Sequence, residues 1–182
     1  MVSIPALKEE CEGALRCFQW RCRRHTCLTA ITFGAAIKSQ LISGIKRDIA
    51  LLQQVPSEQA SSVTVLDISM DKNQAALEGL LDHHVPTTYI DHHKASSIPN
   101  SQYLDAHIDL DANTCTALIV DKLLQGQFRL WAVAAAYGDN MLASAEALAS
   151  TLGLSDEQRR LLNELGTLIN YNATVKARRP AF

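Results

Sequence analysis

Thr87-Thr88-Tyr89-Ile90-Asp91-His92-His93-Lys94 is a β-branched and aromatic run that stops at three metal-capable side chains in a row. Such a run reads as a short strand, and Asp and His at its end are hard to justify as packing. Twenty-odd residues earlier, Ser62-Val63-Thr64-Val65-Leu66 is a second β-branched run, and it breaks at Asp67. Between the two, Lys72 to Leu81 carries apolar residues at helical spacing (Ala75, Leu77, Leu80, Leu81). Strand, helix, strand in so short a span implies a parallel pair, because antiparallel strands need no crossover helix. Leu41-Ile42-Ser43-Gly44-Ile45 is a further strand candidate, followed by a helical stretch through Ile49, Leu51 and Leu52. The fold class expected is α/β, with a doubly wound, mainly parallel sheet.

Downstream the chain turns helical. Helices are expected over Thr116 to Leu124, Leu130 to Tyr137, Leu142 to Leu152 and Ser155 to Asn170. Ser155 can cap the last, with Asp156 and Glu157 in its first turn. Asp105, His107, Asp109 and Asp111 form a polar run expected to edge a strand and loop. Residues 1–37 do not fit the pattern: Arg16 to Thr26 mixes Arg, Cys, Trp and His without periodicity, and Leu28 to Ile37 is apolar but uncapped. Residues 173–182 form a basic tail.

The 182 residues, 47% hydrophobic and 20% charged, can bury one core. A net charge of −2 gives no global field for nucleic acid. No apolar run reaches bilayer length and no signal-peptide pattern opens the chain, so no membrane role is expected and the location expected is cytoplasmic. Cys11, Cys17, Cys22 and Cys27 contain no Cys-x-x-Cys pair, which argues against a zinc ribbon, and an odd total of 5 argues against a disulfide framework.

Parallel strands share one carboxyl edge, so Asp67 and Asp91 should face the same crevice. Asp139, in Tyr137-Gly138-Asp139-Asn140, follows a helix at a glycine break. With His92 and His93 these make an oxygen-rich set, better suited to Mn²⁺ or Mg²⁺ than to a thiolate-type zinc site. Paired metals can activate water and neutralise a phosphoryl group.

The succession Val65-Leu66-Asp67-Ile68-Ser69, Tyr89-Ile90-Asp91-His92-His93-Lys94 and Ala136-Tyr137-Gly138-Asp139-Asn140 resembles motifs II, III and IV of the DHH phosphoesterases. That family includes RecJ-type exonucleases, oligoribonucleases, cyclic-dinucleotide phosphodiesterases and family II pyrophosphatases. The resemblance covers about Ser39 to Asn172. It implies a DHH-type domain over residues 38–172 that hydrolyses phosphodiester or phosphomonoester bonds in a nucleotide or single-stranded nucleic acid. It implies Asp67 bridging two metals, His92 and Asp139 binding one of them, and His93 facing the substrate phosphate. Asp91 would orient the histidines or bind metal itself. Thr116, with Thr114 and Cys115, would touch substrate or cap a helix.

The family's motif I, an Asp-x-Asp on the first strand, has no counterpart here: Glu9, Glu10, Glu12, Asp48 and Glu58 are the carboxylates before Asp67. Codons for Arg16 to Thr26 exist that, read one base later, spell DVFNGDADGI, which looks like that first strand and its motif I. The resemblance thus implies a frameshift, with the family frame resuming near Lys38. It implies at most one metal retained, impaired activity, loss of the sheet's first strand and reduced stability, and absence of the C-terminal domain that grips substrate. Two other classes stand beside this one: a catalytically inactive metal- or nucleotide-binding module, and a nucleic-acid-binding protein using the basic N-terminus.

Asp82-His83-His84 repeats the tripeptide, but at a helix end before Val85-Pro86, where polar groups satisfy last-turn carbonyls. Its expected role is structural. Lys46 and Arg47 read equally as phosphate contacts or a solvated helix start, and Lys176, Arg178 and Arg179 as a solvated tail.

Overall fold

The computed structural model describes residues 14–19, 39–44 and 49–172. Five strands, β1 (Ala14–Gln19), β2 (Ser39–Gly44), β3 (Ser62–Leu66), β4 (Thr87–Asp91) and β5 (Leu104–Ile108), form one sheet. Their order is β2-β1-β3-β4-β5, and every neighbouring pair is parallel. A 3₁₀ turn spans Leu51–Gln54, and the described helices are α1 (Gln74–Asp82), α2 (Thr116–Leu123), α3 (Arg129–Gly138), α4 (Leu142–Thr151) and α5 (Asp156–Asn172). The α/β class and the helical second half are as expected.

Side-chain alternation builds two layers. Val63, Val65 and Tyr89 pack with Leu51, Leu52, Met70, Leu77 and Leu80. Leu66 and Ile90 turn the other way, against Cys115, Ile119, Val120 and Ala135. Both faces of these strands thus carry apolar side chains into cover, as in parallel sheets generally. Each large side chain removed from water contributes about 1.5–3 kcal/mol. The Tyr89 hydroxyl this buries is satisfied, donating to the Ile68 carbonyl at 2.8 Å.

The winding sets where a site can form. The chain goes from β1 out to β2, returns across β1 to β3, and continues through β4 to β5. Direction reverses between β1 and β3, and at such a reversal a crevice opens beyond the carboxyl ends of the strands. β3 runs into Asp67 and β4 ends in Asp91 at this edge.

α3 is buried along most of its length, Ala132 through Gly138. Its sequence is small because α5 crosses it closely. A Cβ on Gly166 of α5 would collide with the Ala134 carbonyl oxygen, and one on Gly138 would meet the Gly166 carbonyl at 2.6 Å. The Asn170 amide donates to the Gly138 carbonyl at 2.7 Å. The carboxyl end of α3, which leads into Asp139, is therefore fixed by backbone-to-backbone approach.

Two expectations are corrected. The first strand is present: Ala14–Gln19 pairs with β2 on one side and β3 on the other, so β3 has no exposed edge. Ladder pairing uses backbone groups that every non-proline residue carries, so loss of the motif need not cost the strand. Among the described residues after β2, the expected helical stretch is a 3₁₀ turn over Leu51–Gln54, and it stops at Val55, which Pro56 restricts to the extended region it occupies. The segment Leu28 to Ile37, Lys46, Arg47, the arginines after β1 and the basic tail lie outside the described residues. Among the described residues, no helix is long and apolar enough to cross a membrane.

Candidate metal centre

Asp67, Asp91, His92 and His93 converge where β3 and β4 end. One ligand atom from each lies within 4.8 Å of all the others. The strands deliver them directly. Asp67 is the first residue past β3, and its N–H is pinned by the Ile90 carbonyl of β4 at 2.9 Å. Its backbone is left-handed, φ 57°, a region in which Asp is enriched over most residues. That turn carries the carboxylate toward β4.

The contacts assign roles. The His92 Nε2 lies 3.2 Å from Asp67 Oδ1, and Thr116, the first residue of α2, donates its hydroxyl to the same oxygen at 3.1 Å. The His93 Nδ1 lies 2.7 Å from Asp91 Oδ1 and 3.9 Å from Asp67 Oδ1. A carboxylate accepts, so His93 Nδ1 is the donor in this contact. The two rings sit 4.6 Å apart, tilted by 54°. Asp67 and Asp91 are 1% and 0% exposed, whereas the His92 and His93 side chains are 17% and 38% exposed. The carboxylates thus form the floor and His93 the mouth.

Two buried carboxylates side by side are expensive without a cation. Asp91 Oδ2 is buried and, among the described residues, has no hydrogen-bond partner. Oxygen and imidazole donors with one acceptor unspent fit a metal ion. This cluster could hold one.

Asp139 is not one of the four. It caps the carboxyl end of α3, its N–H bonded to the Ala135 carbonyl at 3.0 Å, with both carboxylate oxygens shielded from solvent. Ala135, one turn earlier, packs in the same cluster as Leu66 and Ile90, the residues preceding Asp67 and Asp91. Thr116 opens α2 with its hydroxyl bonded to Asp67, and the residue at the N-cap position is Cys115. The second tripeptide is structural, as expected. Asp82 ends α1, His83 Nδ1 donates to the Gly79 carbonyl at 2.7 Å, and His84 packs edge-on against Tyr103 at 4.8 Å.

Two contacts were not foreseen. Ser96 donates its N–H and hydroxyl to Asp71 at 2.7 and 2.8 Å, tying the loop after β4 to the loop after β3. Those bonds, the backbone one foremost, hold the Asp71 carboxyl below its usual range. Tyr137 donates to Glu146 at 2.6 Å, and Arg159 bonds the other Glu146 oxygen at 2.6 Å. This joins α3, α4 and α5 beside the Gly138–Asp139 turn. A tyrosine directly before a glycine break was the only local signal. The polar run flanking β5 behaves as an edge: Asp109 accepts from the Asp111 N–H at 3.1 Å and pairs with Lys122 at 3.4 Å.

No model of a known protein family matches the chain, and comparison with curated proteins finds no match.

Proposed function

We propose that this chain is a DHH-type phosphoesterase domain, built for metal-dependent hydrolysis of a phosphate ester in a nucleotide or single-stranded nucleic acid. The observation that carries the reading is the convergence of Asp67, Asp91, His92 and His93 at the carboxyl ends of adjacent parallel strands. Asp67 and His92 would hold Mn²⁺ or Mg²⁺, with Asp91 and Asp139 as the further carboxylates of the site. Such an ion polarises a phosphoryl oxygen and lowers the pKa of water. His93, its Nδ1 held by Asp91, is the most exposed of the four, and it would meet the substrate phosphate.

Hydrolysis is impaired in this chain. β1 reads Ala-Leu-Arg-Cys-Phe-Gln and brings no carboxylate to the edge where Asp67 lies. A single ion cannot clamp both the attacking and the leaving oxygen of a displacement. That same observation favours a second reading, a metal- or nucleotide-binding module without turnover. In the alternative frame, the Asp-x-Asp of DVFNGDADGI begins two positions after Gln19, just past the end of β1.

The test compares the chain with one in which that string replaces residues 16–25. Manganese binding is measured by calorimetry and turnover with bis(p-nitrophenyl) phosphate. The expected result is one Mn²⁺ and little turnover for the chain as it stands. Two Mn²⁺ and turnover are expected for the replaced form, abolished by Asp91→Ala. Absence of Mn²⁺ binding in both sinks the proposal, and binding without turnover in both leaves the binding module.

A further inference from the structure

The two loops that carry the metal-capable side chains are held very differently. The loop after β3, from Asp67 to Asn73, is braced along its length. The Tyr89 hydroxyl donates to the Ile68 carbonyl at 2.8 Å, and the Asn73 amide donates to the Ser69 carbonyl at 3.0 Å and to the Ile49 carbonyl at 2.7 Å. Ile68 and Met70 are buried in the core. The loop after β4 has no such frame. It leaves the sheet at Asp91 and carries His92 and His93 at once. From Lys94 to Asn100, among the described residues, Ser96 alone makes hydrogen bonds, and both go to Asp71 of the other loop.

The two bonds form a fork. The Ser96 N–H donates to Asp71 Oδ1 at 2.7 Å and its hydroxyl to Oδ2 at 2.8 Å. Charge-assisted bonds are short and strong, and a two-point contact fixes orientation as well as distance. Ser96 lies three residues past His93, and Asp71 lies four past Asp67. The pair therefore closes a ring that runs from β3 through Asp67 to Asp71, across to Ser96, and back through His93 to β4.

We propose that Ser96 and Asp71 are positioning residues of the metal centre: their pair fixes the histidine loop against the braced loop and so sets the cation affinity of Asp67, Asp91, His92 and His93. The role presupposes that those four side chains hold a cation. A loop with many conformations loses entropy when a bound ion fixes it, and a loop already tethered loses less. Both residues are exposed, and exposed charged contacts add little to folding stability. The pair thus acts on the centre rather than on the fold.

The test is Mn²⁺ titration calorimetry on the full chain, with amide hydrogen exchange by NMR and thermal unfolding of the chelated protein. The parent is expected to bind Mn²⁺. Asp71→Ala removes the acceptor. It is expected to speed exchange at the Ser96 N–H and to weaken Mn²⁺ binding about tenfold. The metal-free Tm should stay within about 2 °C of the parent. Ser96→Ala keeps the N–H and loses the hydroxyl, so its loss of affinity is smaller, and added to Asp71→Ala it changes nothing further. Ser96→Thr keeps both donors and the parent's affinity. A merely structural link would lower the metal-free Tm and leave the affinity unchanged. Mn²⁺ affinity or Ser96 exchange unchanged in Asp71→Ala overturns the proposal. A parent that binds no Mn²⁺ overturns the cation site itself, and the positioning role with it.

Discussion

Replacing Asp67 by Asn keeps the volume of a side chain that is 1% exposed and removes its charge. Two opposing quantities set the result in metal-free protein. Two ionised carboxylates whose ligand atoms lie within 4.8 Å repel by about 3 kcal/mol at an effective dielectric of about 20. Relieving that favours the variant. Against it stand the charge-assisted bonds that Asp67 Oδ1 takes from Thr116 at 3.1 Å and His92 at 3.2 Å, each worth about 1.5–3 kcal/mol. Two such bonds total about 3–6 kcal/mol, so the metal-free variant should lie between equal to the parent and about 3 kcal/mol weaker. Metal separates the two. At a hundred times the dissociation constant, an ion that binds only folded protein stabilises it by about 2.7 kcal/mol. For a chain of 182 residues that raises Tm by about 5–10 °C. The parent should show this rise on adding Mn²⁺ after chelation, and Asp67→Asn should show none at the same concentration. Scanning calorimetry with and without Mn²⁺ reads both numbers. An equal rise in the variant refutes the assignment of the centre. A metal-free variant weaker by about 4 kcal/mol or more makes Asp67 a structural ion partner instead.

Glycines on two helices should respond to alanine with opposite signs. Gly166→Ala drives a Cβ into the Ala134 carbonyl and to 2.8 Å from the Gly138 nitrogen. Its overpacking cost of about 1–3 kcal/mol or more exceeds the helix-propensity gain of about 1 kcal/mol. Gly79→Ala meets nothing within 4 Å and should stabilise by up to about 1 kcal/mol, so urea denaturation showing the same sign for both contradicts the packing. Tyr137 has its pKa pushed up to about 12, first by burial and then by the bond to Glu146. A folded value above the ordinary one of 10.0 means its contribution is whole below that pH and is lost as pH rises through about 12. The stability difference between the parent and Tyr137→Phe should therefore shrink across that window, and a constant difference would exclude the linkage.

What the sequence disclosed follows from how local each cause is. β3 and β4 were legible because β-branched residues bounded by Asp67 and Asp91 signal strands on their own. Their polar ends could be placed together because parallel strands share a carboxyl edge, a rule of topology rather than of contact. The look-alike at Asp82 was separable by the same local context. The bond from Thr116 to Asp67 was hidden because its partner lies 49 residues away and nothing near it announces Asp67. The approach of α5 to α3 was hidden for the same reason, since Gly166 sits in a polar-looking helix and its meaning comes from Ala134 and Gly138.

β1 is the instructive failure. Ala14–Gln19 lacks the alternation that marks a strand, and the missing motif suggested a missing element. Yet two parallel neighbours offer it a ladder on both sides, and a ladder reads backbone, not side chains. Coordination is the reverse case, since it reads side chains alone. A change that rewrites residues after Arg16 can therefore leave the architecture standing while emptying half of a two-ion site. On the proposed reading the deficit lies in ligands rather than in the sheet, since β3 is paired on both edges. The separation also gives the repair experiment its force. Turnover gained by the replaced form without a change in strand order would, on the proposed reading, trace the difference to the added ligands.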